Sequence, residues 1–184
     1  MRVIGGLARG RRILAPRGRV TRPTSDYLRE VLFDLLAPQI DGKTFLDLYA
    51  GTGAVGIEAL SRGAAAAIFV EQNRSALAIL YRNLDRSGFR ERAVVVPMEV
   101  RRYLRRAAIR SEQFDLIFLD PPYLSGDREA ALTIIAERQV LAPGGLAILE
   151  RSARIAQSEV PTGLEHVREV RHGDSALQIY RREI

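Results

Sequence analysis

The chain contains no cysteine in its 184 residues. Disulfides, thiolate zinc sites and cysteine nucleophiles are therefore excluded. Histidine is nearly absent as well: only His166 and His172 occur, so a multi-histidine metal site is not expected, and no metal is expected at all. No apolar run exceeds the length of a strand, residues 64–70 being typical, and no charged-then-apolar leader opens the sequence. These absences predict a soluble, cytoplasmic protein that does not use a membrane. The length suits one domain with a self-sufficient core, and a monomer is the default expectation.

An excess of one charge sign is absent outside one segment. The formal net charge is +6. Residues 1–29 carry Arg2, Arg9, Arg11, Arg12, Arg17, Arg19, Arg22 and Arg29 against the single acid Asp26, a local excess of +7. The remaining 155 residues hold twenty bases and twenty-one acids. Solubility alone gives no reason to segregate one sign, so this segment is expected to face phosphates, with Arg9, Arg11, Arg12 and Arg22 as candidate contacts. Lysine occurs once, at Lys43, which reads as composition bias.

Residues 2–20 hold short apolar pieces broken by Gly5-Gly6, Gly10, Pro16 and Gly18, the pattern of a small basic hairpin or extended arm. The arm is assigned to residues 1–24 and a single globular unit to 25–184. Thr24 or Ser25 can cap a helix whose apolar face is Leu28, Val31, Leu32, Leu35 and Leu36, closed by Pro38. Strand and helix then alternate: strand 44–49, helix 54–61, strand 67–71, a helix capped by Asn73 and ending near Gly88, strand 93–96, basic helix 100–109, strand 114–119, helix 127–139 and strand 146–150. Pieces near 165–171 and 176–180, around Gly173, predict a closing hairpin. Repeated β-α-β units imply an α/β fold, a parallel sheet with helices on both faces. Ligands of such sheets bind beyond the C-terminal strand ends.

The first strand runs into Asp47-Leu48-Tyr49-Ala50-Gly51-Thr52-Gly53-Ala54-Val55-Gly56, in which Gly51, Gly53 and Gly56 satisfy G-x-G-x-x-G. A dinucleotide site would use the same glycines for a pyrophosphate. Asp47 argues against that, because a carboxylate at the strand end repels pyrophosphate. It suits a cationic ligand such as the amino group and sulfonium of S-adenosylmethionine. Glu71, twenty residues after Gly51, can accept two ribose hydroxyls. Glu99, after the third strand, falls near the adenine or caps the following helix. Candidate cofactor contacts are thus Asp47, Tyr49, Gly51, Gly53, Glu71 and Glu99.

The fourth strand delivers Asp120-Pro121-Pro122-Tyr123. The lone pair of a base amine is delocalised into the ring, so its hydrogens must be held for the nitrogen to face a methyl donor. Asp120 can accept one N–H, and the Pro121 carbonyl the other. Prolines present that carbonyl rigidly and remove competing donors. Tyr123 can stack on the base. Asp120, Pro121, Pro122 and Tyr123 are the candidate catalytic residues, working through orientation and electrostatics. Methylation of a pyrimidine ring carbon, which starts with addition of a cysteine to the base, is excluded.

These motifs resemble the RsmD-like family of bacterial 16S ribosomal RNA guanine-N2 methyltransferases. The likeness includes Arg2-Val3-Ile4-Gly5-Gly6 with Gly10-Arg11, Thr21-Arg22-Pro23-Thr24-Ser25-Asp26, the run Gly56 to Ala64, Asp120 to Tyr123, and Gly173-Asp174-Ser175-Ala176-Leu177. The resemblance implies a seven-stranded, Rossmann-like class I fold, S-adenosylmethionine as donor, and one guanine of 16S rRNA in the small ribosomal subunit as substrate. The chain departs from the family pattern at Pro97-Met98-Glu99 and at His172. A DNA adenine-N6 methyltransferase would share the loops but usually carries a target-recognition region for which little sequence is left. A nicotinamide-dependent oxidoreductase is disfavoured by Asp47 and the Asp-Pro-Pro-Tyr loop, and a non-catalytic RNA-binding factor by the intact loops.

Overall fold

The computed structural model describes residues 1–15, 26–121, 126–155 and 159–183. Its elements are α1 (Asp26–Leu36), β1 (Thr44–Leu48), α2 (Ala54–Ser61), β2 (Ala66–Glu71), α3 (Arg74–Ser87), β3 (Ala93–Pro97), α4 (Val100–Ile109), β4 (Phe114–Leu119), α5 (Asp127–Glu137), β5 (Leu141–Ser152), β6 (Leu164–His172) and β7 (Ser175–Arg182). The strands form a seven-stranded sheet in the order β3-β2-β1-β4-β5-β7-β6. The chain groups into two compact units, Met1–Pro97 and Met98–Ile184.

In the first unit β1, β2 and β3 run parallel. Their apolar residues, among them Phe45, Leu46, Leu48, Phe69 and Val70, are fully buried, as expected of strands that join parallel crossovers. Helix α3 shows how local chemistry sets its own limits. The Asn73 side chain accepts from the backbone N–H groups of Ser75 and Ala76 at 2.9 and 3.2 Å, a side-chain cap for two otherwise orphaned donors. Gly88 closes the helix at φ 76°, and the Phe89 N–H bonds to the Leu84 carbonyl. Leu77, Leu80 and Leu84 form the inward stripe.

The basic arm is docked along residues 1–15. An Arg2–Arg12 antiparallel bridge makes it a short hairpin, and Val3, Ala8 and Ile13 are buried. Its backbone bonds to side chains of two helices. Glu58 of α2 accepts from the Ile4 and Gly5 N–H groups at 2.8 and 2.7 Å. Ser61 accepts from Ala8 N–H and donates to the Gly5 carbonyl. Asn83 of α3 accepts from the Leu14 N–H at 2.8 Å and donates to the Leu14 carbonyl at 3.1 Å. Gly6 sits so close to α2 that a Cβ would lie 1.8 Å from the Ser61 carbonyl oxygen, with φ at +73°; only glycine fits there.

In the second unit β4 and β5 are parallel, while β7 runs antiparallel to both β5 and β6. β5 starts at Leu141, five residues before the expected start. Ala142-Pro143-Gly144-Gly145 has turn chemistry, yet the chain stays in the sheet through a register shift opposite Phe114–Leu116. A Cβ at Gly145 would lie 2.7 Å from the Asp115 carbonyl oxygen, so this approach requires glycine. Helix α5 ends at Glu137, two residues early, because Gln139 adopts φ 55°. Among the described residues no helix is long and apolar enough to cross a membrane.

Candidate active site

The glycine turn begins where β1 ends. Tyr49 leaves the strand at φ 62°, a left-handed conformation uncommon outside glycine, so β1 stops one residue short of the expected end. The Ala50 N–H bonds to the Val70 carbonyl and the Gly53 N–H to the Ala50 carbonyl, which folds the turn back on β2.

Two carboxylates hold this turn. Asp47 is 2% exposed, and its Oδ2 accepts the Gly56 N–H at 2.8 Å. Burial pushes its pKa up to about 7, opposed by the Gly56 hydrogen bond and reinforced by the nearby charge of Glu71. Glu71, half-buried at the end of β2, accepts the Gly51 N–H at 2.8 Å through Oε2 and the Asn73 N–H at 2.7 Å through Oε1. It thereby ties the tip of the turn to the start of α3.

The three glycines do different work. A Cβ on Gly53 would lie 2.2 Å from Leu80 Cδ1, and one on Gly56 would lie 2.3 Å from Phe69 Cε1. Both are demanded by the packing of the turn against α3 and β2. Gly51 alone faces open space, its Cβ position meeting nothing nearer than the Tyr49 carbonyl oxygen at 3.9 Å, with φ at +55°. This glycine leaves room for a ligand against the backbone, with Glu71 bonded to the turn and the Asp47 carboxylate bonded to the helix that follows it. An open, acid-flanked cradle of this kind fits the cationic and ribose parts of S-adenosylmethionine.

Glu99 lies in the second unit and caps α4: its two oxygens accept the Arg101 and Arg102 N–H groups, each at 2.8 Å. Of the two roles open to it, the structure displays the cap. In the same unit β4 ends at Leu119, and Asp120 follows half-buried with Pro121 buried. Pro122 and Tyr123 lie outside the described residues, as does Arg22. Arg9, Arg11 and Arg12 are exposed on the docked hairpin, and Arg11 donates to the Arg86 carbonyl at 3.3 Å. His172 is exposed at the end of β6.

The residues that hold the arm lie outside the glycine and Asp-Pro-Pro-Tyr motifs. Glu58 is fully buried, bonded to Arg62 at 3.0 Å as well as to the two arm N–H groups. Arg29, 1% exposed, donates to the Arg2 carbonyl at 2.6 Å and to Asp26 at 3.0 Å, and its Nε lies 4.0 Å from Glu58. Burial lowers the Arg29 pKa, against the attraction of Glu58 and Asp26. Asn83, fully buried, also donates to the Thr52 carbonyl at 2.8 Å. One side chain thus joins the arm at Leu14 to the glycine turn at Thr52. The signal was present: Glu58 interrupts an otherwise apolar helix, and Asn83 falls on the same helical stripe as Leu80 and Leu84.

The family model described as "Conserved hypothetical protein 95" matches residues 1–181. YlbH of Bacillus subtilis (strain 168) is 38% identical over 182 residues, 99% of each chain. Ribosomal RNA small subunit methyltransferase D of Escherichia coli (strain K12) is 35% identical over 185 residues, covering 100% of this chain and 90% of that protein. The solved structure of Escherichia coli yhhF superposes with a TM-score of 0.87 at 33% identity, covering 100% of this chain and 98% of that one. The chain therefore has the Rossmann-like class I methyltransferase fold and belongs to the Conserved hypothetical protein 95 family, the RsmD-like family that its motifs resemble.

Proposed function

We propose that this protein transfers a methyl group from S-adenosylmethionine to the exocyclic N2 amine of a guanine in 16S ribosomal RNA of the small subunit. The observation that carries the reading is the Gly51 turn: open to a ligand, held by Glu71 and leading into a helix whose Gly56 N–H is held by the buried Asp47 carboxylate. When bound, S-adenosylmethionine supplies an electrophilic methyl group on a cationic sulfur. Asp47 and Glu71 favour that charge and the ribose hydroxyls through the turn they brace. Asp120 and the Pro121 carbonyl accept the two N–H bonds of the base amine, turning the nitrogen lone pair to the methyl carbon. The cofactor would supply the methyl group and leave as S-adenosylhomocysteine, and Asp120 would take the proton that the amine loses, along the N–H bond that it accepts. Tyr123 stacks on the base. Both loops sit at C-terminal ends of strands that run parallel to a partner, β1 with β2 and β4 with β5, the ends at which sheets of this class bind ligands. The name of the Escherichia coli relative supports the small-subunit RNA substrate, and the exposed arginines of the hairpin supply its phosphate contacts.

The test is incubation of the full chain with labelled S-adenosylmethionine and, separately, small-subunit particles, 16S rRNA transcript and duplex DNA, followed by nucleoside mass spectrometry. N2-methylguanosine from the particles or the transcript is expected. N6-methyladenine in the DNA arm, or no transfer to RNA, refutes the proposal. Asp120→Ala should retain S-adenosylhomocysteine binding and lose transfer.

A further inference from the structure

Helix α4 carries a second concentration of positive charge, which the whole-chain balance hides. Residues 99–112 hold five arginines and two acids. Val100, Tyr103, Leu104 and Ala107 form the buried stripe, while Arg102, Arg105, Arg106 and Ile109 are exposed, Ile109 at 85%. The acids at the helix ends are committed elsewhere. Glu99 caps the first turn and lies 3.8 Å from Arg101, which also meets Asp127 at 3.7 Å. Glu112 pairs with Arg110 at 3.7 Å, and its charge also acts on the Tyr103 hydroxyl. Among the described residues no salt bridge engages Arg102, Arg105 or Arg106, and residues 16–25, 122–125 and 156–158 contain no Asp or Glu.

This arrangement works against the helix. Like charges at i, i+3 and i, i+4 repel, each costing on the order of a few tenths of a kcal/mol. Arg102 also sits in the first turn, where the helix dipole disfavours a cation. A face built for solubility would intersperse acids at those spacings. An external polyanion removes both penalties. Arginine's planar fork matches phosphate oxygens, and Ile109 adds to the exposed arginine face an apolar surface that a sugar or base face can cover.

We propose that Arg102, Arg105 and Arg106 on the outward face of α4 form a second phosphate-contacting surface for the RNA substrate, separate in sequence from the N-terminal hairpin. This rests on the ribosomal RNA reading above. The test is equilibrium binding of the full chain to 16S rRNA transcript and to small-subunit particles across a potassium chloride series. Wild type is compared with the triple variants Arg102→Gln, Arg105→Gln, Arg106→Gln and Arg102→Lys, Arg105→Lys, Arg106→Lys. The glutamine triple should lower the slope of log affinity against log salt by about 2, at roughly 0.7 per contact for single strands. Its S-adenosylhomocysteine affinity should stay at the wild-type value and its melting temperature should hold or rise slightly as the repulsion is relieved, and the lysine triple should keep the slope. An unchanged slope in the glutamine triple overturns the inference, as does an affinity loss without a slope change, which would mark a protein or shape contact. If wild type methylates ribosomal RNA and the slope is unchanged, only this inference fails; if wild type transfers no methyl to RNA, the underlying reading fails with it.

Discussion

Asp47→Asn separates the role of the buried carboxylate from that of the turn it supports. The native group titrates at about 7 against an ordinary value of 3.8. Below pH 4 folded and unfolded chains both hold the proton. Between roughly 4 and 7 the unfolded chain releases it and the folded chain keeps it; above 7 the folded chain carries a buried charge. The stability linked to this group is therefore complete below pH 4 and is lost as pH rises through 7. Three units at 1.36 kcal/mol each set the swing at about 4 kcal/mol. Asparagine can still accept the Gly56 N–H but cannot titrate, and its unpaired amide costs about 1–3 kcal/mol at every pH. The stability of the variant minus that of wild type should therefore climb by up to about 4 kcal/mol from pH 4 to pH 8, whatever the constant offset. Urea unfolding at pH 4.5, 6 and 8 measures it, and a difference that is flat with pH refutes the argument. The same group should couple to the ligand. A cation above the turn favours ionised Asp47, so S-adenosylmethionine binding to wild type should strengthen from pH 6 to 8 and release a proton. Calorimetric heats that vary with the ionisation enthalpy of the buffer would register this, and Asp47→Asn should abolish the variation.

Glu58→Ala should cost about 3–5 kcal/mol, since it leaves buried Arg29 and two arm N–H groups without their carboxylate; urea unfolding reads the loss, and a cost under 1 kcal/mol would mean the arm is held by its apolar contacts. Asn83→Leu should cost about 1–3 kcal/mol through the stranded Leu14 and Thr52 groups. It should also weaken S-adenosylhomocysteine binding, and Asn83→Asp, which can still accept the Leu14 N–H but has no N–H to give the Thr52 carbonyl, should not restore it; equal affinity in all three proteins would exclude a link between arm and turn. Replacing Arg9, Arg11 and Arg12 by glutamine should lower the salt slope of RNA binding by about 2, and an unchanged slope would show that the hairpin does not meet phosphates.

The limits of α2, α4 and β4 were legible because caps and apolar periodicity agree there with tertiary packing. Gly53-Ala54 opens α2, Glu99 opens α4, and Phe114–Leu119 is an uninterrupted buried strand but for Asp115. The start of β5 was not legible. Its Pro-Gly-Gly reads as a turn by local chemistry, and only the neighbouring strand, through the shift at Phe114–Leu116, keeps it in the sheet. Tyr49 reads as the last strand residue because nothing in a tyrosine announces a left-handed backbone; the demand comes from the turn that follows. The glycine motif was legible as a turn, but not in its division of labour. Spacing treats three glycines alike, whereas Leu80 and Phe69, residues from other elements, claim two of them.

The arm shows why charge and burial must be read together. A count of signs along the chain makes residues 1–29 a basic tail. The structure makes residues 1–15 a fitted piece, with Val3, Ala8 and Ile13 buried and Arg2, Arg9, Arg11 and Arg12 left outside. A free tail could reach phosphate but would lose its conformational freedom on binding. A hairpin already fixed by Glu58, Ser61 and Asn83 has met that cost in folding, so its arginines approach RNA in one arrangement. The Asn83 amide carries this further, because the group that fixes Leu14 also fixes Thr52 in the glycine turn. Pulling the hairpin off its seat frees the side chain that also holds the turn. Hydrogen exchange at Leu14 N–H and Gly53 N–H should therefore slow together when S-adenosylhomocysteine binds. Protection confined to Gly53 would show that the turn closes without the arm.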